Sequence, residues 1–189
     1  MKAVFINASP RKNANTHHLT RALAEELAAH FQGEFLDLMQ YRVLRCLGDQ
    51  TCRERKQCCQ EKKDDMAMLC ERLAGADLIV FGSPVYFSNV SGLAKDFIDR
   101  TLPIYYQRLL KGKMGTSLVT NSGEGGLMAE HSLMEFFKLH NMITIRGIVC
   151  TGRHPGEAMD REENIRRVKQ LAERILEAAV HPVPAPAGS

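Results

Sequence analysis

Between an apolar run, Ala3-Val4-Phe5-Ile6, and a helical pattern lies Asn7-Ala8-Ser9-Pro10-Arg11-Lys12-Asn13-Ala14-Asn15-Thr16. A buried strand that leads through a polar loop into a helix suits a phosphate. The first N–H groups of a helix lack intrahelical partners and the helix dipole is positive there, so an anion is stabilised. Ser9 and Thr16 can add hydroxyl donors, Asn15 an amide and Arg11 a charge-assisted bond. The loop has neither the Gly-Lys-Ser/Thr ending of an ATP-binding loop nor the Gly-x-Gly-x-x-Gly of a dinucleotide site. It therefore points to a small monophosphate rather than a nucleoside triphosphate. Standing alone, it would read as an ordinary polar loop with a helix cap.

A second loop changes that balance. Val80-Phe81-Gly82-Ser83-Pro84-Val85-Tyr86-Phe87-Ser88-Asn89-Val90-Ser91-Gly92 is an apolar strand ending in a loop with an aromatic pair. A helical pattern follows, with Val90, Leu93, Phe97 and Ile98 on one face. Aromatics beside a Gly-Ser-Pro turn belong at a strand end rather than in mid-core. A third loop, Thr120-Asn121-Ser122-Gly123-Glu124-Gly125-Gly126, has glycines that let backbone approach a flat ring closely.

These segments resemble the NAD(P)H-dependent FMN reductase and iron–sulfur flavoprotein group of the flavodoxin-like superfamily. The signatures read Ser9-Pro10-Arg11 with Asn15-Thr16, and Gly82-Ser83-Pro84-Val85-Tyr86-Phe87 running to Asp99-Arg100-Thr101, the longer stretch being the more specific. Ala8 stands where the family commonly has glycine, a small change in loop geometry. The resemblance implies FMN, with its phosphate over Ser9, Arg11, Asn15 and Thr16 and with His17 among the cofactor-binding residues. Pro84, Val85, Tyr86, Phe87 and Asn89 would line the ribityl chain and one side of the isoalloxazine. Asn121, Ser122 and Gly123 would meet its pyrimidine end. Hydride transfer from NAD(P)H through FMN needs orientation and electrostatics but no acid–base group, so no catalytic residue is named. Glu124 accordingly reads as a solvated loop acid. Family resemblance also favours a homodimer or a dimer of dimers.

The cysteine segment reads Cys46-Leu-Gly-Asp49-Gln-Thr-Cys52-Arg-Glu-Arg-Lys-Gln-Cys58-Cys59. Iron–sulfur flavoproteins hold a [4Fe–4S] cluster on a compact cysteine run. Laid on that pattern, Cys46, Cys52 and Cys58 or Cys59 fall in place, but Asp49 takes the second ligand position. A carboxylate is harder than thiolate and serves a cuboidal cluster poorly. The expectation is therefore no cluster and no other metal, with Cys46, Cys52, Cys58 and Cys59 as the ligands were a cluster present. The segment would then be a mobile basic flap, open to a reversible disulfide among Cys52, Cys58 and Cys59. Cys70 and Cys150 read as buried thiols. The chain has no His-x-x-x-His or Cys-x-x-Cys pair, which leaves its seven histidines a weak case for metal.

The elements that must position these loops alternate regularly, which predicts an α/β fold. Strands are expected at Lys2–Asn7, Glu34–Leu38, Asp77–Gly82, Gly115–Thr120 and Ile143–Cys150. Helices are expected from Thr16 to Phe31 with Gly33 closing the first, from Asp64-Asp65 onward, and over Ser91–Thr101, Leu127–His140 and Arg161–Ala179, the last capped by Asp160. This is a doubly wound five-stranded parallel sheet of order 2-1-3-4-5. Ligands of such sheets bind beyond the strand C-termini where the winding reverses, between strands 1 and 3. Those strands carry the first two loops.

At 189 residues the chain is expected to be one domain over 1–180, with 39–63 as a cysteine-rich basic insertion and 181–189 as a proline-rich tail. Between Arg42 and Lys63 stand seven basic residues against three acidic, a net +4 that exceeds the +3 of the whole chain. So small a total argues against a nucleic-acid partner. No apolar run is long enough for a membrane span and Met1-Lys2 leads straight into a strand, so a cytoplasmic protein is expected. The leading function is an FMN-dependent NAD(P)H oxidoreductase acting on a small acceptor such as free flavin or a quinone. The alternatives are a one-electron carrier, flavodoxin-like or iron–sulfur flavoprotein-like, and a flavin-bearing regulatory protein without turnover.

Overall fold

The computed structural model describes residues 1–58 and 60–181; Cys59 and residues 182–189, most of the expected tail, lie outside the described residues. Its strands are β1 (Lys2–Asn7), β2 (Gln32–Asp37), β3 (Leu78–Tyr86), β4 (Asn89–Val90), β5 (Met114–Asn121), β6 (Ile143–Thr144) and β7 (Ile148–Thr151). Its helices are α1 (Asn15–Leu27), α2 (Thr51–Arg55), α3 (Met66–Ala74), α4 (Gly92–Asp99), α5 (Leu102–Tyr106), α6 (Gly126–Leu139) and α7 (Glu162–Val180). The parallel sheet runs β2-β1-β3-β5, and β6 and β7 both pair with the far side of β5. This is the expected order, with its fifth strand broken in two.

The alternation of apolar residues along the central strands builds a core on each face. Ala3, Phe5, Leu78 and Val80 pack with Leu19, Leu23 and Leu27 of α1 and Val168, Leu171 and Ile175 of α7. Val4, Ile6, Ile79 and Phe81 turn the other way, onto Leu69 and Leu73 of α3, Phe97 of α4 and Leu133 and Phe136 of α6. Helices on both faces of a parallel sheet make the winding reverse between β1 and β3, so the two strand ends open onto the crevice that binds ligands in such folds.

Four expected details are corrected. The first helix ends at Leu27, not Phe31, and Gly33 lies in β2 opposite Ala3 rather than closing that helix. A Cβ on Gly33 would stand 3.0 Å from the Phe5 ring, so glycine serves packing there. Phe31 is buried after a turn, which is why its apolar spacing mimics a longer helix. The cap of α7 is Arg161, with no side-chain cap bond, in place of Asp160. The strand expected over Ile143–Cys150 breaks because Gly147 passes against Ser117, where a Cβ would collide with the serine hydroxyl and carbonyl. Gly147→Ala should accordingly destabilise the fold by about 1–3 kcal/mol, the cost of overpacking a tight interior. Urea denaturation checks this, and an unchanged midpoint would mean that β5 yields freely at this point.

Candidate functional site

The ends of β1 and β3 are tied to each other before any ligand is considered. Ala8 donates its N–H to the Gly82 carbonyl at 2.9 Å. The buried Ser91 hydroxyl donates to the Ala8 carbonyl at 2.6 Å and accepts from Ala94 N–H, capping α4. Ser83, also buried, accepts from Ser91 N–H and donates to the Pro84 carbonyl. The loop after β1 and the turn after β3 are thus one hydrogen-bonded unit.

Within the first loop, Asn7 Oδ1 accepts from Ser9 N–H and Ser9 Oγ accepts from Arg11 N–H, which folds the chain back over the strand end. The cap position of α1 is Ala14, which has no side-chain acceptor, so no side chain covers the helix's first N–H groups. Arg11 is exposed and forms no ion pair among the described residues. An uncapped helix start beside a buried serine and an unpaired arginine fits a phosphate dianion.

Three expected cofactor-binding residues, two of them assigned to the phosphate, have side chains engaged elsewhere. The Thr16 hydroxyl is fully buried, 2.6 Å from that of Thr120, which joins α1 to β5. Asn15 donates to the carbonyls of Gly152 and His154 and accepts from Ala158 N–H, clamping the loop after β7 to the helix start. His17 Nε2 accepts from Arg21 Nε–H; burial and the Arg21 charge hold its ring below the usual imidazole range. For these three, the main-chain N–H is what the helix start offers.

The second loop is a two-residue hairpin in which Tyr86 pairs with Asn89. Phe87 (φ 48°) and Ser88 (φ 61°) occupy its centre, both left-handed without being glycine. That combination defines the turn type that ordinarily recruits Asn-Gly. Phe87 is fully exposed at 103% while Pro84, Val85 and Tyr86 are half-buried. Facing the hairpin is the loop after β5, where a Cβ on Gly125 would come within 2.7 Å of Ser88 Cα. Asn89 Oδ1 accepts from the Ser132 hydroxyl of α6, a second tie across the same gap. Asn121 is held by Thr151, Ser122 receives Arg153 Nε–H on its carbonyl, and Gly123 faces open space. The structure therefore brings the three expected loops together at the C-terminal ends of β1, β3 and β5.

The cysteine segment is not a loose flap. Arg100, 1% exposed at its side chain, forms an ion pair at 2.5 Å with Asp64, which is 0% exposed. The guanidinium also donates to the Leu44 carbonyl and, through Nε, to Cys58 Sγ at 3.2 Å. Asp65 Oδ2 accepts from Arg42 N–H and Gln60 donates to the Arg45 carbonyl. Cys46, Asp49, Cys52 and Cys58 line a cavity of about 110 Å³ closed by Arg100, Leu102, Pro103 and Tyr106. Burial, then the neighbouring Cys46, pushes the Cys52 thiol up from its ordinary value. Among the described residues no three His, Cys, Asp or Glu side chains converge tightly enough to hold a single metal ion. Cys59, an expected ligand, lies outside the described residues. Cys70 and Cys150 are buried thiols, each pushed up to about 12 by desolvation.

Sequence reasoning missed Asp64, Arg100, Ser91 and Thr120 as organisers of the site. Asp64 was read as a helix-start acid, and Arg100 as one letter of a family-like stretch. Their separation by 36 positions leaves no periodic signal.

A doubly wound sheet with an uncapped helix start and an aromatic hairpin at its switch point defines a flavodoxin-like architecture. The chain belongs to the NADPH-dependent FMN reductase family, whose sequence pattern matches residues 1–155, and is an FMN-dependent NAD(P)H oxidoreductase. It is 34% identical over 180 residues to an iron-sulfur flavoprotein of Archaeoglobus fulgidus, covering 94% of this chain and 80% of the relative. It is 27% identical over 188 residues to an iron-sulfur flavoprotein of Methanocaldococcus jannaschii, covering 94% and 96%. Its fold is similar to that of an FMN-dependent NADH-azoreductase from Bacillus anthracis in complex with FMN, with a TM-score of 0.70, 16% identity and coverage of 93% and 99%. No helix among the described residues is long and apolar enough to cross a membrane.

Proposed function

We propose that residues 1–180 form a single FMN-binding domain that passes reducing equivalents from NAD(P)H to a small acceptor, such as free flavin or a quinone, in the cytoplasm and as a homo-oligomer. The observation that carries the placement is the uncapped start of α1 beside Ser9 and Arg11, set where β1 and β3 diverge. Arg11, the Ser9 hydroxyl and the first N–H groups of α1 hold the phosphate. Pro84, Val85, Tyr86, Phe87 and Asn89 line the ribityl chain and one side of the ring, and Asn121, Ser122 and Gly123 meet its pyrimidine end. FMN held by these residues would supply two-electron hydride chemistry between the nicotinamide and the acceptor. The protein contributes orientation and water exclusion, because the Ser91, Asn89 and Thr16 bonds fix the three loops relative to one another.

One slot beside the ring must be vacated by the nicotinamide before an acceptor enters, so steady-state plots should be parallel. Stopped-flow mixing with NADH and with NADPH should bleach the flavin in one two-electron step with at least one of them. Failure with both, together with ready reduction by a protein donor, would replace the proposal by a carrier role. A second reading, one-electron relay through an additional centre, is favoured by the convergence of Cys46, Asp49, Cys52 and Cys58 on one cavity.

A further inference from the structure

We propose that a cleft between the cysteine segment, α3 and α5 is a binding site for a neutral quinone, separate from the crevice at the strand ends. The cleft encloses about 560 Å³, inside the range of roughly 300–1,000 Å³ usual for small-molecule sites. None of its lining residues belongs to the three crevice loops. The choice of class rests on the acceptor reading above and extends it to a second place on the chain.

The sequence keeps the cleft open. Ala67, Cys70 and Ala74 stand three and four apart on one face of α3, and all three line the cleft. Side chains this small leave the space between α3 and the segment unfilled. The walls are fixed by bonds of their own. Gln107 Nε2 donates to the Lys56 carbonyl at 2.9 Å and to that of Pro103 at 3.1 Å, which ties the segment to α5. Arg100 holds Leu44 and Asp64 at the inner end. The interior is apolar and soft, with Met66, Cys70 and Ile104 all buried in its lining. Sulfur beside an aromatic ring is a favourable contact, which suits a ring better than a branched aliphatic group. An apolar cavity of roughly 150 Å³ takes one benzene, so one or two fused rings fit here with space to spare.

Charge and donors narrow the class. Among the lining residues Arg55 and Lys56 are matched by Glu61 and Glu71, and Arg100 is matched by Asp64. With the lining balanced, a buried ion would lose its hydration without a surplus of opposite charge to offset the loss. That selects a neutral ligand. Two donors stand without a hydrogen bond among the described residues. One is the Arg55 guanidinium; the other is the Cys70 thiol, 8% exposed and kept protonated because burial pushes it up to about 12. Ring carbonyls give both an acceptor. A flat neutral ring with carbonyl oxygens is a quinone. No electron passes at this site; the ring acts by packing, and clamps the segment onto α3 and α5.

The test uses the FMN-loaded full chain without NAD(P)H and duroquinone as the probe, because its four methyl groups block addition of thiols. Equilibrium dialysis should show a duroquinone that saturating NAD⁺ or NADP⁺ does not displace. Ala67→Leu and Ala74→Leu, which fill the cleft, should each weaken it on the order of tenfold or more, with FMN affinity unchanged. Arg55→Ala, at an exposed position that keeps the fold, should weaken it about 2- to 10-fold. Durene, the same methylated ring without carbonyls, should bind about tenfold more weakly than duroquinone. Trypsin cleavage after Arg55 and Lys56 should slow about tenfold at ten times the Kd, since only the ligand-free fraction opens. Duroquinone displaced by the nicotinamide nucleotides, with all three variants binding as the unmodified protein, would overturn the cleft and leave the acceptor reading standing. Equal affinity for durene would overturn the quinone class. Cleft binding as expected, alongside flavin that neither NADH nor NADPH bleaches, would sink the acceptor reading and leave the cleft in place.

Discussion

Arg100→Leu should lose about 3–5 kcal/mol of stability, because it strands the Asp64 carboxylate in the interior without its cation. The pair lies at 1% and 0% side-chain exposure, and the guanidinium has three further roles, at Leu44, at Cys58 and at the second Asp64 oxygen. Urea denaturation with the double variant Arg100→Leu/Asp64→Leu separates the effects. An apolar pair should recover much of the loss, because the penalty comes from one uncompensated charge rather than from a missing attraction. Equal loss in single and double variants would mean that packing, not charge, dominates. The pair also sets a direction with pH. Burial pushes the Asp64 carboxyl up, but the Arg100 hydrogen bonds and the N–H groups of Leu44 and Met66 outweigh it and hold the group below its ordinary value. Its contribution is thus complete above the unfolded-state value of about 3.9 and is lost as pH falls through the lower folded value. Asp64→Asn should flatten the acid limb of the stability curve.

Arg11→Ala should weaken FMN binding by about 1.5–3 kcal/mol, roughly a 10- to 150-fold rise in Kd, the range for a hydrogen bond to a charged group. Riboflavin, which has no phosphate, should bind the variant and the unmodified protein alike. Calorimetry on flavin-free protein measures both ligands. Equal affinity for FMN and riboflavin in the unmodified protein would withdraw the phosphate from this loop. Arg11 is exposed, and surface substitutions usually cost under about half a kcal/mol, so the variant should keep the stability of the unmodified protein.

The elements that carry these groups were largely legible in the sequence, because apolar alternation and helical spacing report burial directly. β1 was read to the residue, and the switch point followed from the order of elements. What escaped was tertiary. Nothing local tells that Thr16 will meet Thr120, or that Asn15 will turn from a phosphate to the carbonyls of Gly152 and His154. Residue type reveals what a side chain can bond, whereas its choice among partners is settled by strands that lie far apart in the chain. The same gap explains the cysteine segment. Its basic, polar composition reads as solvated loop, yet one buried arginine from the end of α4 anchors it.

The hairpin centre has a bearing on how this protein responds to selection in the laboratory. Phe87 and Ser88 both sit where Asn-Gly would be relaxed, and strain of this kind is worth on the order of 1–3 kcal/mol per residue. Heat-based screening will therefore reward exchange at these two positions. Such an exchange at position 87 erases the solvent-facing aromatic ring beside the strand ends. A library built for thermal tolerance should hold positions 87 and 88 fixed and seek its gains in the distant surface of α7.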